Sequence, residues 1–260
     1  MSIDFVRELR IIRIGDHHQR FGDEINKHFD TYFNAVEKTT QGNLLIADFS
    51  APSIHRYLHN GMEFSLSFLP EEPEVIHSYF RHRPEETRLA FDIGAYCGLS
   101  TYELSQRFEK VIAFEPDKLN RACLWENIAR HQMNNVEVVP MAIMGATGRI
   151  SFLSEGTPGS AACLAGRVAG PSVEVSAWSL KDAFGVFGVP DFMCMDIEEA
   201  EVEVLDAART VLSKNAISIV VDSSHGVPIT APAVETILRE CGYNAETKLI
   251  EGLATTWGWK

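Results

Sequence analysis

The chain has 260 residues, of which 36 are acidic and 23 basic, leaving a formal net charge of −13. That length can bury a large core in one domain with an added N-terminal part, and the acidic balance argues against binding a nucleic-acid backbone or an anionic membrane surface. Five scattered cysteines (Cys97, Cys123, Cys163, Cys194 and Cys241) read as reduced, mostly buried thiols of a cytoplasmic protein, and their spacing supports no zinc site. No run is long enough to span a bilayer, and no basic segment leads into an apolar stretch at the N-terminus.

Residues 1–85 read as an accessory region of mainly helical character. Apolar spacing predicts helices over 5–14 and 21–36, a short strand over 44–49, one or two helical turns over 53–58, and a helix over 74–81. Ile76, Tyr79 and Phe80 of the last helix are expected to pack on the following domain, which begins near Pro84 and occupies 86–260. The accessory part is expected to supply a substrate cap or a dimerisation surface, with a homodimer as the default assembly.

From Leu89 to Asp117 the order is strand, glycine turn, helix, strand, acid. An apolar run ends in Phe91-Asp92-Ile93, Gly94 and Gly98 bracket a tight turn, 99–108 has helical spacing, and the strand over 111–114 ends on Glu115. This is the first half of a doubly wound nucleotide fold. Glu115 stands 21 positions beyond Gly94, the separation at which an acid can bond both hydroxyls of a ribose. The glycines do not form G-x-G-x-x-G, and Asp92 would repel a pyrophosphate but suit an amino group. The pocket therefore fits an adenosine joined to a zwitterion, and an NAD-dependent dehydrogenase is disfavoured.

A helix follows over 117–130 with Asp117 as its cap, then a strand over 136–139 and an apolar continuation through 141–143. Short strands over 149–153 and 173–177 flank a Gly-, Ala- and Ser-rich stretch, 154–171, read as a loop at the rim of the site. A helix over 178–184 carries Ser179 as a cap. The strand over 190–195 ends at Asp196, and an amphipathic helix bearing Val202, Leu205, Ala208 and Leu212 comes next. The strand over 217–221 ends at Asp222 and is followed by Ser223, Ser224 and His225. A helix over 231–241 and an antiparallel pair, 243–250 with 253–259, close the chain.

The Asp92-Ile93-Gly94-Ala95-Tyr96-Cys97-Gly98 turn with Glu115 resembles motif I and its partner acid in the class I S-adenosylmethionine-dependent methyltransferases. Over roughly 88–225 the chain resembles, more narrowly, their FkbM-like family. The residues that carry this are Phe91-Asp92-Ile93-Gly94-Ala95, Ala113-Phe114-Glu115-Pro116, Leu124-Trp125-Glu126-Asn127-Ile128, Val139-Pro140-Met141-Ala142-Ile143, and the run from Asp196 through Leu205. Three departures stand out: Met195 where the family commonly has lysine, Glu199 where it has glycine, and Asp222 where a glutamate is usual. The resemblance implies an α/β doubly wound, Rossmann-like sheet of order 3-2-1-4-5-7-6, with strand 7 antiparallel. It also implies S-adenosyl-L-methionine as cofactor, S-adenosyl-L-homocysteine as product, and methylation of hydroxyls on sugars, polyketides and related small metabolites. The cofactor residues it points to are Asp92, Gly94, Ala95, Tyr96, Gly98, Glu115, Pro116, Ala142 and Asp196.

Methyl transfer from a sulfonium needs alignment above all, because the leaving group departs neutral. A hydroxyl acceptor must also lose a proton, so a base or a metal ion helps. Asp196 and Asp222 stand at the carboxyl ends of neighbouring strands, with His225 just beyond. Three readings of them stay open: Asp196 or His225 as general base, a divalent cation between Asp196 and Asp222, or plain capping and loop roles. A small-amine N-methyltransferase and a catalytically inactive cofactor-binding protein are the competing functions.

Overall fold

The computed structural model describes residues 55–59, 62–67, 73–154, 161–162, 172–224, 230–250 and 252–260. The elements expected over 5–14, 21–36 and 44–49 lie outside these residues, as does His225.

The first described element corrects an expectation. Residues 53–58 were to be helical, but β1 (His55–His59) pairs antiparallel with β2 (Met62–Leu66), His59 opposite Met62. That register leaves a two-residue connection, Asn60-Gly61, a dipeptide that favours hairpin turns because both of its residues tolerate positive φ. The expected helix over 74–81 is present as α1 (Pro73–Ser78), continued by a 3-10 turn (Tyr79–Arg81).

The central sheet contains β3 (Leu89–Ile93), β4 (Lys110–Phe114) and β5 (Val136–Val139) on one side of its midline. On the other lie β10 (Phe192–Met195), β11 (Ser218–Asp222), β12 (Asn244–Ile250) and β13 (Leu253–Trp259). Across the sheet they run β5-β4-β3-β10-β11-β13-β12, with β13 antiparallel to both neighbours. Numbered by strand within this sheet, that is 3-2-1-4-5-7-6, as expected. Order reverses between β3 and β10, where both strands end at the same level: Ile93 is in register with Met195. A crevice therefore opens beyond Ile93, between chains that leave in opposite directions.

Alternation along the strands feeds two cores. Phe91, Ile93, Ile112, Phe114, Met193, Met195, Ile219 and Val221 face one way. They are covered by α4 (Leu180–Phe187), α5 (Glu201–Ala207), α6 (Arg209–Lys214) and α7 (Thr230–Glu240). Ala90, Val111, Phe192, Val220 and Trp257 face the other way and pack with Val75, Tyr79 and Phe80 of the α1 segment and Leu104 of α2 (Leu99–Ser105). The accessory segment is thus a layer of this core. α3 (Lys118–Arg130) covers the same face, its Leu124 against Ala95 and Ala113.

A second sheet, β6-β9-β7-β8, was not anticipated as a unit. It comprises β6 (Ala142–Met144), β7 (Gly148–Leu153), β8 (Ala161–Ala162) and β9 (Ser172–Ser179). The helix expected from 178 begins later, at Leu180. Trp178 is still in β9 opposite Ile143, and Ser179 caps the helix by accepting the Asp182 N–H at 3.2 Å. This sheet carries β6 and Phe152 to the crevice.

Candidate functional site

Gly94 lies where backbone must pass backbone. Its φ is +84°, and a Cβ there would sit 1.8 Å from the Asp196 carbonyl oxygen. A side chain at 94 would thus collide with the end of β10. The N–H groups of Gly94 and Ala95 both bond the Phe114 carbonyl at 3.0 Å, so the turn is clamped onto β4. Gly98 closes it at φ +91°, with Leu124 of α3 only 2.5 Å from where its Cβ would be. Tyr96 holds φ 47° between them.

Asp92 braces this turn from behind. Its carboxylate, 2 % exposed, accepts Ser100 Oγ at 3.0 Å, the Thr101 hydroxyl, and Cys194 Sγ at 3.0 Å. Burial pushes its pKa up against those three bonds. Asp92, Ala95 and Gly98 shape the turn and do not line the crevice. The Asp92 carboxylate is turned toward α2 and β10.

Glu115 does face the crevice. One oxygen accepts the Tyr96 N–H at 2.9 Å and the other the Asp117 N–H at 2.7 Å, which fixes the carboxylate plane. Each oxygen keeps a second lone pair for a ligand. Burial pushes this carboxyl up to about 8, with nearby Asp117 adding to the rise and the two N–H bonds and Arg121 opposing it. Asp117 caps α3 as expected, accepting the N–H groups of Leu119 and Asn120 at 2.7 and 3.0 Å.

The crevice spans about 570 Å³ with the open solvent at its mouth included. Of the expected cofactor residues, Gly94, Tyr96, Glu115, Pro116, Ala142 and Asp196 line it. Met141, Ile143 and Phe152 add an apolar wall beside Glu115, and Asn120 adds an amide; none of these four was anticipated. Trp125 is 53 % exposed on α3 and lies outside the lining. A carboxylate at one end with apolar side chains beside it fits an adenosine.

Beyond β10 the chain is held in an unusual shape. The Asp196 N–H bonds the Ile93 carbonyl at 2.9 Å, extending the strand pairing by one residue. Glu198 and Glu199 then adopt φ of 54° and 78°. Glu199, where the related family has glycine, therefore occupies the left-handed region in which glycine is least strained. The fully buried Glu201 closes this bend by accepting the Ile197 N–H at 3.0 Å. Met195, another of the three altered positions, packs in the core with Met193 and Val221.

Asp196 faces the crevice, whereas Asp222 does not line it. Asp222 accepts both the backbone N–H of Ser224, at 2.9 Å, and the Ser224 hydroxyl. Among the described residues, no group of three or more His, Cys, Asp or Glu side chains could hold a metal ion. No described helix is long and apolar enough to cross a membrane.

Comparison with known proteins follows the same lines. Residues 92–245 match the Methyltransferase FkbM domain. The fold is similar to that of methyltransferase FkbM from Methylobacillus flagellatus KT, with a TM-score of 0.54 and 20% identity over 72% of this chain. The match covers 50% of the Methylobacillus protein, so the chain spans about half its length. Precorrin-6y C5,15-methyltransferase from Geobacter metallireducens GS-15 is similar at a TM-score of 0.51 and 16% identity, over 74% of this chain and 90% of that one. No curated protein matches the chain. With more than half of its length matched, the chain belongs to the FkbM family of S-adenosylmethionine-dependent methyltransferases.

Proposed function

We propose that this chain transfers a methyl group from S-adenosylmethionine to a hydroxyl of a small metabolite, a sugar, polyketide or related natural product. The observation that carries the reading is the crevice itself, which has the Glu115 carboxylate at one end and Asp196 at the end of the neighbouring strand. The cofactor supplies an electrophilic methyl on a sulfonium. Glu115 accepts the ribose hydroxyls through the lone pairs its N–H bonds leave available. Met141, Ala142, Ile143 and Phe152 flank the adenine, and the Gly94–Tyr96 backbone passes beneath the amino-acid tail. Asp196, beside the turn, takes the proton of the acceptor hydroxyl as it attacks, and the bend locked by Glu201 fixes its place. His225 stays a second candidate for that proton. Asp222, already bonded to Ser224, serves better as a brace for its loop than as a base.

The acceptor is read as a small molecule because the excess of 13 negative charges disfavours a nucleic-acid substrate. The test is transfer of labelled methyl from S-adenosylmethionine to panels of small hydroxyl and amine acceptors. Label on hydroxyl oxygen supports the reading. Label on amines alone contradicts the acceptor assignment, and tight cofactor binding without transfer to any acceptor contradicts the assignment as an enzyme.

A further inference from the structure

We propose that Ser67, at the end of the accessory hairpin, is a positioning residue of the cofactor crevice: it holds the Asn120 amide so that its nitrogen donates to the nucleoside half of the bound cofactor. The inference rests on the S-adenosylmethionine reading above and adds to it two residues, one of them outside the doubly wound sheet.

Asn120 is the third residue of α3, five positions beyond Glu115; it lines the crevice and is 2 % exposed. Its backbone N–H is held by Asp117 at 3.0 Å, and its side-chain oxygen accepts the Ser67 hydroxyl at 2.7 Å. A planar amide whose oxygen is turned to a hydroxyl presents its nitrogen on the opposite side. That nitrogen carries two protons, enough for one bond within the protein and one to a ligand.

Ser67 is itself fixed. Its Oγ lies 3.3 Å from Cys97 Sγ, and its N–H donates to the same sulfur at 3.4 Å. The serine hydroxyl donates to Asn120 and lies in contact with the Cys97 thiol. A chain of contacts thus runs from Cys97, inside the glycine turn, through Ser67 to Asn120. Burial holds the Cys97 thiol well above its ordinary pKa, which keeps its proton in place.

A second side chain pins the same two pieces together. Asn127 donates to the carbonyls of Ser65 and Cys97, both at 2.8 Å, and accepts the Ser65 N–H at 2.6 Å. Ser65, Ser67, Cys97, Asn120 and Asn127 are all at most 2 % exposed, so water does not compete for these bonds. The hairpin is therefore fastened to both structures that frame the nucleoside end, the turn and the start of α3.

The experiment is calorimetric titration of S-adenosylhomocysteine into the full chain as wild type, Asn120→Ala, Ser67→Ala and the double variant, with a thermal melt of each. Asn120→Ala should weaken binding about tenfold, the worth of one buried hydrogen bond. Ser67→Ala should weaken it about threefold, since the amide stays but loses its orientation. Because Ser67 acts through Asn120, the double variant should bind no more weakly than Asn120→Ala. Losses that multiply in the double variant would overturn the proposal. So would a Ser67→Ala protein that melts lower yet binds as wild type, because Ser67 would then be structural alone. Wild-type binding untouched by either substitution overturns this inference and leaves the cofactor reading standing. No binding by the wild type overturns both.

Discussion

The two halves of the crevice are built on opposite principles. On the β3–β4 side, glycine occupies the positions of highest φ, and Gly94, Ala95 and Glu115 are tied to neighbouring strands by backbone bonds of 3.0–3.1 Å. On the β10–β11 side, two glutamates hold φ of 54° and 78°, and a buried third one, Glu201, locks the bend. The first half gives its two highest φ values to glycine, leaves only Tyr96 at positive φ between them, and ties the turn to its neighbours, as suits a site that grips an invariant cofactor. The second carries backbone strain next to Asp196, as is common where a reacting group must be held in place. Substitutions in the two halves should therefore fail differently.

The largest effect belongs to Gly94→Ala, whose Cβ would overlap the Asp196 carbonyl. It should lose about 4 kcal/mol or more of stability, or fail to give folded protein, as seen in denaturant titration. A variant of near wild-type stability would break the picture of backbone-tight packing. Asp196→Ala should act on chemistry alone, with turnover falling about 10²–10⁴-fold while cofactor affinity stays within a few fold. Wild-type turnover in that variant would remove Asp196 as the base and leave His225.

Glu115→Ala should weaken S-adenosylmethionine binding by about 2 kcal/mol, the loss of charge-assisted bonds to the ribose, measured by calorimetry. The same carboxylate gives a pH signature. Its folded pKa of about 8 lies above the ordinary 4.5, so the native state holds a proton the unfolded chain has released. Its contribution to stability is thus present below pH 4.5 and is lost as pH rises toward 8, with no further change above. Cofactor affinity should run the other way, rising toward pH 8 as the carboxylate ionises. Glu115→Gln should abolish both trends, and parallel pH curves for the two proteins would contradict this assignment. The smallest effect is a gain: Glu199→Gly should add about 1 kcal/mol by relieving the positive φ, read as a higher melting temperature. A loss instead would show that Glu199 contributes contacts worth more than its strain.

The β3–β4 half was legible in the sequence because its signals are local. Gly94, Gly98, Glu115 and Asp117 each act within a few residues of their own position or across one strand pair. The sheet order was implied by the methyltransferase resemblance, which five apolar strands alternating with helices and a closing hairpin fit. What escaped depends on distant pairing. The Asp92 carboxylate bonds Ser100, Thr101 and Cys194, partners that no spacing around position 92 announces. Asn120 carries no motif, and its place in the crevice follows from the start of α3 and from Ser67 across the hairpin. The hairpin itself had a signal, Asn60-Gly61 between His55–His59 and Met62–Leu66, but the first run was read with helical spacing. The bond from Ile197 to Glu201 depends on a bend no periodicity announces.

The most direct test is a crystal structure of the chain with S-adenosylhomocysteine. The account predicts the nucleoside in the crevice, both ribose hydroxyls within hydrogen-bond distance of Glu115 and the sulfur on the Asp196 side. A ligand seated elsewhere, or a crevice that excludes it at saturating concentration, would contradict it.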